Sequence, residues 1–165
     1  MGYICCMNYF ELFEMPVTLE IDPGKLAKKY FELQKKYHPD FYTQASEYEQ
    51  EEALEISSQL NKALKVFKDR DETIKYVLQL KGLLEEEEKY QLPPDFLLEM
   101  MELNEELSDE SAARIASIEK ELYSEVGSII ENYNDERISE QELQKLKAYY
   151  YKKKYLKRIL DRLAG

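Results

Sequence analysis

The chain has 165 residues, 34 of them acidic against 23 basic, for a formal net charge of −11. That balance argues against general binding to a phosphate backbone, which repels so acidic a chain. Two adjacent cysteines, Cys5 and Cys6, and a single histidine, His38, leave no disulfide framework and too few ligands for a zinc site, so a reducing compartment is expected. Trp is absent, Gly and Pro number 5 each, and Glu, Lys and Leu abound, the composition of an all-α protein. No apolar run approaches the roughly 18 residues that would span a membrane. The first six residues lack the charged and apolar regions of a signal peptide, and no Arg- and Ser-rich leader follows.

In chain order, Asn8 to Met15 predicts a short helix, apolar at Tyr9, Phe10, Leu12 and Phe13 and ended by Pro16. Asp22 before Pro23 is a helix start, a capping carboxylate followed by a residue whose missing N–H costs nothing there. That helix should stop at Tyr37, because His38 precedes Pro39 and is pushed out of the α region. Asp40 to Ala45 reads as a polar loop. Ser46 with Glu49 then opens a long helix with a capping box, apolar at Ile56, Leu60, Ala63, Leu64 and Phe67. A shorter helix over about Glu72 to Lys81 stops at Gly82. The acidic run Glu85 to Glu88 and the rigid pair Pro93-Pro94 mark a domain boundary. Three further helices are expected, Asp95 to about Leu107, Ser108 to about Tyr133, and Ser139 to about Leu163, the last opened by a Ser139/Glu142 capping box. Short connections make them an antiparallel three-helix bundle.

His38-Pro39-Asp40 is the most informative tripeptide. Catalysis would need a nucleophile beside His38, and a metal would need more ligands than His38 and Asp40 provide. A plain helix-ending turn is the remaining simple reading. The preceding helix tells against it. At about 100° per residue from Lys28, the residues Leu26, Tyr30, Leu33 and Tyr37 share a core stripe at about 140° to 200°, while Lys25, Lys28, Lys29, Lys35 and Lys36 fall between about −20° and 100°. Residues 25–36 thus carry net +4, and residues 41–60 follow with five Glu and no basic residue. A basic stripe ending in a rigid tip suits electrostatic docking, although a charge run can also be a merely solvated face.

Tyr9-Phe10-Glu11-Leu12-Phe13, the basic helix ending Leu33-Gln34-Lys35-Lys36-Tyr37, and His38-Pro39-Asp40 together resemble a J-domain over roughly residues 7 to 70. Tyr76-Val77-Leu78-Gln79-Leu80-Lys81-Gly82 and Asp95-Phe96-Leu97-Leu98-Glu99-Met100-Met101-Glu102-Leu103 extend the resemblance to the HscB family of iron–sulfur co-chaperones. Arg70, Thr73 and Ile74 depart from that family's pattern, and Cys5-Cys6 lacks the spacing of the paired-cysteine metal motif of some eukaryotic relatives.

The resemblance implies a J-domain over 7–80, a connecting segment over 81–94 and a helical scaffold-binding domain over 95–165. It implies that His38, Pro39, Asp40, Lys28, Lys29, Lys35 and Lys36 dock on an HscA- or DnaK-class ATPase chaperone. An IscU-type scaffold protein would be held by Leu97, Leu98, Met101, Glu102, Glu105, Asp109 and Tyr155. The chain would then be a cytoplasmic bacterial co-chaperone and not an enzyme, with no phosphate loop, metal or cofactor of its own. A J-protein with another client, or a helical interaction protein with a fortuitous His-Pro-Asp, are the alternatives.

The helix from Asp95 points to binding on its own residues. At about 100° per residue from Leu97, the residues Phe96, Met100, Leu103 and Leu107 form a core stripe at about 240° to 300°. Leu97, Leu98 and Met101 form a second apolar patch, bordered by Glu102, Glu105 and Asp109. A helix apolar on two faces is either sandwiched or presents one face to a partner. The last helix is basic, residues 145–162 carrying net +7 with Tyr149, Tyr150, Tyr151 and Tyr155 among them, against net −9 over residues 81–111. Interleaved basic and aromatic residues can mean nucleic acid, but opposite charges on neighbouring helices of one bundle account for them better, and no nucleic-acid partner is expected.

Overall fold

The structure, a computed structural model, describes residues 7–85, 89–105 and 109–164, with the side chains at 109, 110, 112, 163 and 164 outside the description. Cys5, Cys6, Glu86 to Glu88, Leu107 and Ser108 lie outside the described residues, as do the side chains of Asp109 and Leu163. The described residues form seven α-helices and no strand: α1 (Tyr9–Leu12), α2 (Pro23–Tyr37), α3 (Glu47–Phe67), α4 (Arg70–Leu80), α5 (Pro94–Glu105), α6 (Asp109–Glu131) and α7 (Glu140–Ala164). The chain divides into two compact units, 1–76 and 77–165, the division falling inside α4.

Local chemistry sets most helix ends. Asp22 accepts from the Lys25 amide at 2.7 Å with Pro23 in the first turn, and α2 stops at Tyr37 as expected. Ser46/Glu49 and Ser139/Glu142 both close capping boxes, the serine accepting from the glutamate amide while the glutamate carboxylate accepts from the serine amide. The hydrogen bonds from the serine hydroxyls hold the Glu49 and Glu142 carboxyls below the usual range. Gly82, at φ +69, closes α4 with a bond from the Leu83 amide to the Leu78 carbonyl, a conformation that favours glycine.

Two ends differ from expectation. The first helix covers only Tyr9–Leu12 and is not ended by Pro16: Glu14 takes φ +51, and the Met15 amide turns back to the Phe10 carbonyl. Asn8 starts it with a capping box to Glu11. α4 starts two residues earlier than Glu72, because Asp69 accepts from the amides of Asp71 and Glu72. In place of a wholly irregular loop after His38, residues Pro39–Tyr42 form one 3-10 turn.

In the N-terminal unit α2 and α3 pair as a hairpin. Leu26 and Leu33 of α2 and Ala53, Ile56, Leu60, Ala63 and Phe67 of α3 are buried, whereas Leu64 is only partly so. α1 closes one end with rings: Phe10 lies 4.7 Å and Phe13 5.4 Å from Phe67, and Tyr9 stacks on Tyr76 at 4.5 Å. Each buried ring contributes about 1.5–3 kcal/mol. This packing is what holds Glu14 in its left-handed turn. Tyr30 and Gln34 donate to Asn61, and Ser57 donates to Gln34, so the half-buried polar groups between α2 and α3 are paired. The three departures in α4 are accommodated. Ile74 is fully buried, Thr73 donates its buried hydroxyl to the Asp69 and Val66 carbonyls, and Arg70 pairs with Glu20 at 3.4 Å.

In the C-terminal unit α5, α6 and α7 form the expected bundle, with α7 packed on both α6 and α5; Phe96, Met100 and Leu103 of α5, Ile115, Ile118, Leu122, Val126 and Ile130 of α6 and Leu146, Tyr149, Leu156 and Ile159 of α7 are buried. Two lysines of α7 pair with α6: Lys153 with Glu119 at 2.7 Å and Lys152 with Glu125 at 3.6 Å.

The α6–α7 connection is tied to the end of α4. Lys81 Nζ and the Tyr133 hydroxyl both reach Asp135 Oδ1 at 2.8 Å. Partial burial pushes the Asp135 carboxyl up, but the bonds from Lys81 and Tyr133 outweigh it and leave the group below its usual range. Burial, reinforced by the carboxylate, pushes the Tyr133 hydroxyl above its usual range. A lowered Asp135 stabilises the fold above the unfolded carboxyl value and loses this contribution as pH falls through its folded value. A raised Tyr133 contributes below the unfolded phenol value and loses it as pH rises past that. Asp135→Asn should therefore cost about 1 kcal/mol near neutral pH, read from urea midpoints, with the deficit closing below about pH 4.

Candidate docking loop and client face

The His-Pro-Asp turn is held by the helix it terminates. His38 is extended (φ −66, ψ 128), which ends α2 and turns its carbonyl to accept from the Phe41 amide at 3.0 Å. The Asp40 amide donates to His38 Nδ1 at 3.3 Å, and Asp40 Oδ2 lies 3.5 Å from the same nitrogen. The Tyr42 hydroxyl donates to the Lys36 carbonyl at 3.1 Å, clamping the far side of the turn onto the last turn of α2. His38 and Asp40 are exposed and Pro39 half-buried, so a rigid backbone presents both polar side chains outward.

The four lysines assigned to this face are not equivalent. Lys28 and Lys35 are exposed and have no ion-pair partner among the described residues. Lys29 is half-buried and paired with Glu14, whose carboxyl that bond holds below its usual range. Lys36 lies over the Tyr37 ring, 4.8 Å from its centroid, and its interaction with Tyr37 raises the ammonium above its usual range. On the side of the turn toward α3, Pro39, Asp40, Thr43, Glu47, Glu51 and Leu54 line a shallow groove. Two large side chains that the sequence does not mark as exposed also stand here: Phe31 and Phe41 are 72% and 70% exposed. The angular position of Phe31, opposite Leu33 on α2, was the available signal.

On α5 the core stripe is Phe96, Met100 and Leu103, as the helical spacing predicted, with Leu107 outside the described residues. Leu98 is 60% and Met101 56% exposed, Leu97 is half-buried, and Glu102 and Glu105 are exposed. Arg114 of α6 reaches Glu99 at 3.4 Å and Glu102 at 3.7 Å, so part of the acidic rim is already compensated. Tyr155 meets the Phe96 ring edge-on at 6.3 Å. Leu97 and Tyr155 come together in a groove of about 670 Å³ with Tyr90, Tyr151, Lys154 and Arg158. Tyr90 and Tyr151 stack there at 4.3 Å. Tyr150, Tyr151 and Tyr155 thus pack on neighbouring rings. Among the described residues no group of three or more His, Cys, Asp or Glu side chains could hold a metal ion, and no helix is long and apolar enough to cross a membrane.

Residues 92–164 match the family model described as the HSCB C-terminal oligomerisation domain. A co-chaperone protein HscB homolog of Vibrio vulnificus (strain YJ016) is 36% identical over 139 residues, covering 78% of this chain and 81% of the relative. The chain belongs to the HscB co-chaperone family. Homologs from Vibrio cholerae serotype O1 are 39% identical over 107 residues, 64% of this chain, and the chain spans 63% of the length of those relatives. Among solved structures, human co-chaperone protein HscB is similar with a TM-score of 0.79 at 27% identity, over 96% of this chain and 81% of that one. Chaperone HscB from Vibrio cholerae is similar with a TM-score of 0.60 at 29% identity, over 95% and 99%. The two-part, all-α architecture of a J-domain followed by a helical domain is that of HscB.

Proposed function

We propose that this HscB-family chain stimulates the ATPase of an HscA- or DnaK-class chaperone and delivers an IscU-type scaffold protein to it, assisting iron–sulfur cluster assembly in a bacterial cytoplasm. The observation that carries this reading is the His38-Pro39-Asp40 turn, clamped rigidly at the end of a helix whose Lys28 and Lys35 stand free. Within residues 7–80, His38, Pro39 and Asp40 form the docking tip, and Lys28, Lys35 and the more constrained Lys29 and Lys36 supply the field that guides it. Residues 81–94 connect this part to residues 95–165, where Leu97, Leu98, Met101 and Tyr155 offer an apolar client face with Glu102 and Glu105 at its rim, and the sequence spacing assigns Asp109 to the same contact. Holding chaperone and client on one chain raises the effective concentration of each for the other. The chain needs no catalytic group or cofactor, because ATP is turned over by the partner.

Electrostatic guidance has a direct test. The concentration of this chain that half-stimulates a DnaK-class chaperone should rise severalfold between about 0.05 and 0.3 M salt, as screening shortens the reach of the lysines. A flat response would remove the lysine face from the docking mechanism.

A further inference from the structure

Phe31 and Phe41 are large aromatic side chains that the fold leaves in solvent. At about 100° per residue, Phe31, Lys35 and His38 fall within about 60° of one another, on the side of α2 opposite Leu26 and Leu33. Their i, i+4, i+7 spacing makes one row about 10 Å long, running down the helix to the docking tip. Phe41 continues it: its ring lies 6.2 Å from that of His38, edge to face. The row therefore reads Phe31, Lys35, His38, Phe41, with exposed Lys28 beside its start. A lone surface phenylalanine is ordinary, but two that bracket a lysine and the docking histidine have the composition of an interface centre, where aromatic residues are enriched.

We propose that Phe31 and Phe41 are the apolar anchors of the chaperone contact and determine its affinity. This rests on the reading of His38-Pro39-Asp40 as the docking loop. The occupant is the ATPase chaperone itself, through an acidic surface whose apolar depressions lie on either side of the carboxylates that face Lys28 and Lys35. The lysines then set the rate and salt dependence of encounter, and the two rings set how long the complex lasts.

The test uses the full chain, a purified DnaK-class chaperone from the same organism and ATP. The readout is the concentration giving half-maximal stimulation at low and high salt. Phe31→Ser/Phe41→Ser should raise it at least about tenfold, by the same factor at both salts, with maximal stimulation unchanged. Phe31→Tyr/Phe41→Tyr should recover most of the loss, and Lys28→Ala/Lys35→Ala should flatten the salt dependence. Both rings are exposed, so helical circular dichroism should not change. A serine variant within about twofold of the parent, while the parent stimulates normally, would overturn the anchor assignment and leave the docking loop standing. A parent that sediments as a dimer and becomes monomeric in the serine variant would overturn it in favour of a second copy of this chain. A parent that stimulates no better than its His38→Gln variant would overturn both the docking reading and the inference resting on it.

Discussion

Replacing His38 by Gln should reduce chaperone stimulation to the basal ATP turnover while the helical circular dichroism of the chain stays unchanged. The imidazole is exposed, and its contacts among the described residues are one bond accepted from the Asp40 amide, the Asp40 carboxylate 3.5 Å from the same nitrogen, and the edge of Phe41. Losing one exposed 3.3 Å bond costs stability no more than about 0.5 kcal/mol, within the range of ordinary surface substitutions. The ring nonetheless stands at the tip of a turn held by the Phe41 amide, the Tyr42 hydroxyl and the fixed backbone of Pro39. Its chemistry is therefore available outward, to a partner. Stimulation that survives His38→Gln would mean that the turn only ends a helix.

The client face should respond as sharply. Leu98 and Met101 are more than half exposed, and Leu97 sits beside Tyr155 in the groove next to them. Truncating Met101 costs the free chain little, since its side chain is mostly in water, and half-buried Leu97 costs somewhat more. At the centre of an interface each truncation removes over ~1 kcal/mol, so Leu97→Ala/Met101→Ala should weaken scaffold binding by about tenfold to a hundredfold. Calorimetric titration of an IscU-type scaffold protein from the same organism into parent and variant measures it. Equal affinities would mean that this apolar face is not where the scaffold binds.

Features written in neighbouring residues were legible from the sequence. Asp22-Pro23, Tyr37-His38-Pro39, Ser46/Glu49, Ser139/Glu142 and Gly82 each satisfy backbone groups within a few positions, so their chemistry can be read without the fold. Leu26 and Leu33 of α2, Ile56, Leu60, Ala63 and Phe67 of α3, and Phe96, Met100 and Leu103 of α5 follow from spacing alone, whereas Tyr30, Tyr37 and Leu64, on the same stripes, are only half-buried. What was not legible depends on packing. Glu14 adopts a left-handed turn because Phe10 and Phe13 must both reach Phe67, and nothing in its own chemistry announces that. Two cations of α7, Lys152 and Lys153, find carboxylates on α6, pairings that depend on how the bundle packs. At the His38-Pro39-Asp40 turn the tripeptide and the basic stripe are legible by type and order. Nothing in the sequence separates Lys29 from Lys28, because its pairing with Glu14 depends on the fold, and composition alone places a phenylalanine such as Phe31 or Phe41 inside.

The central claim is that one chain brings chaperone and scaffold together, and steady-state ATP turnover of the chaperone tests it most directly. The scaffold protein is titrated into chaperone plus this chain, both below saturation, and in parallel into chaperone plus Leu97→Ala/Met101→Ala. Joint engagement predicts that chain and scaffold together raise turnover well beyond the sum of their separate effects, and that the variant returns it to that sum. Purely additive turnover with the parent chain, at scaffold concentrations that calorimetry shows to be saturating, would contradict it.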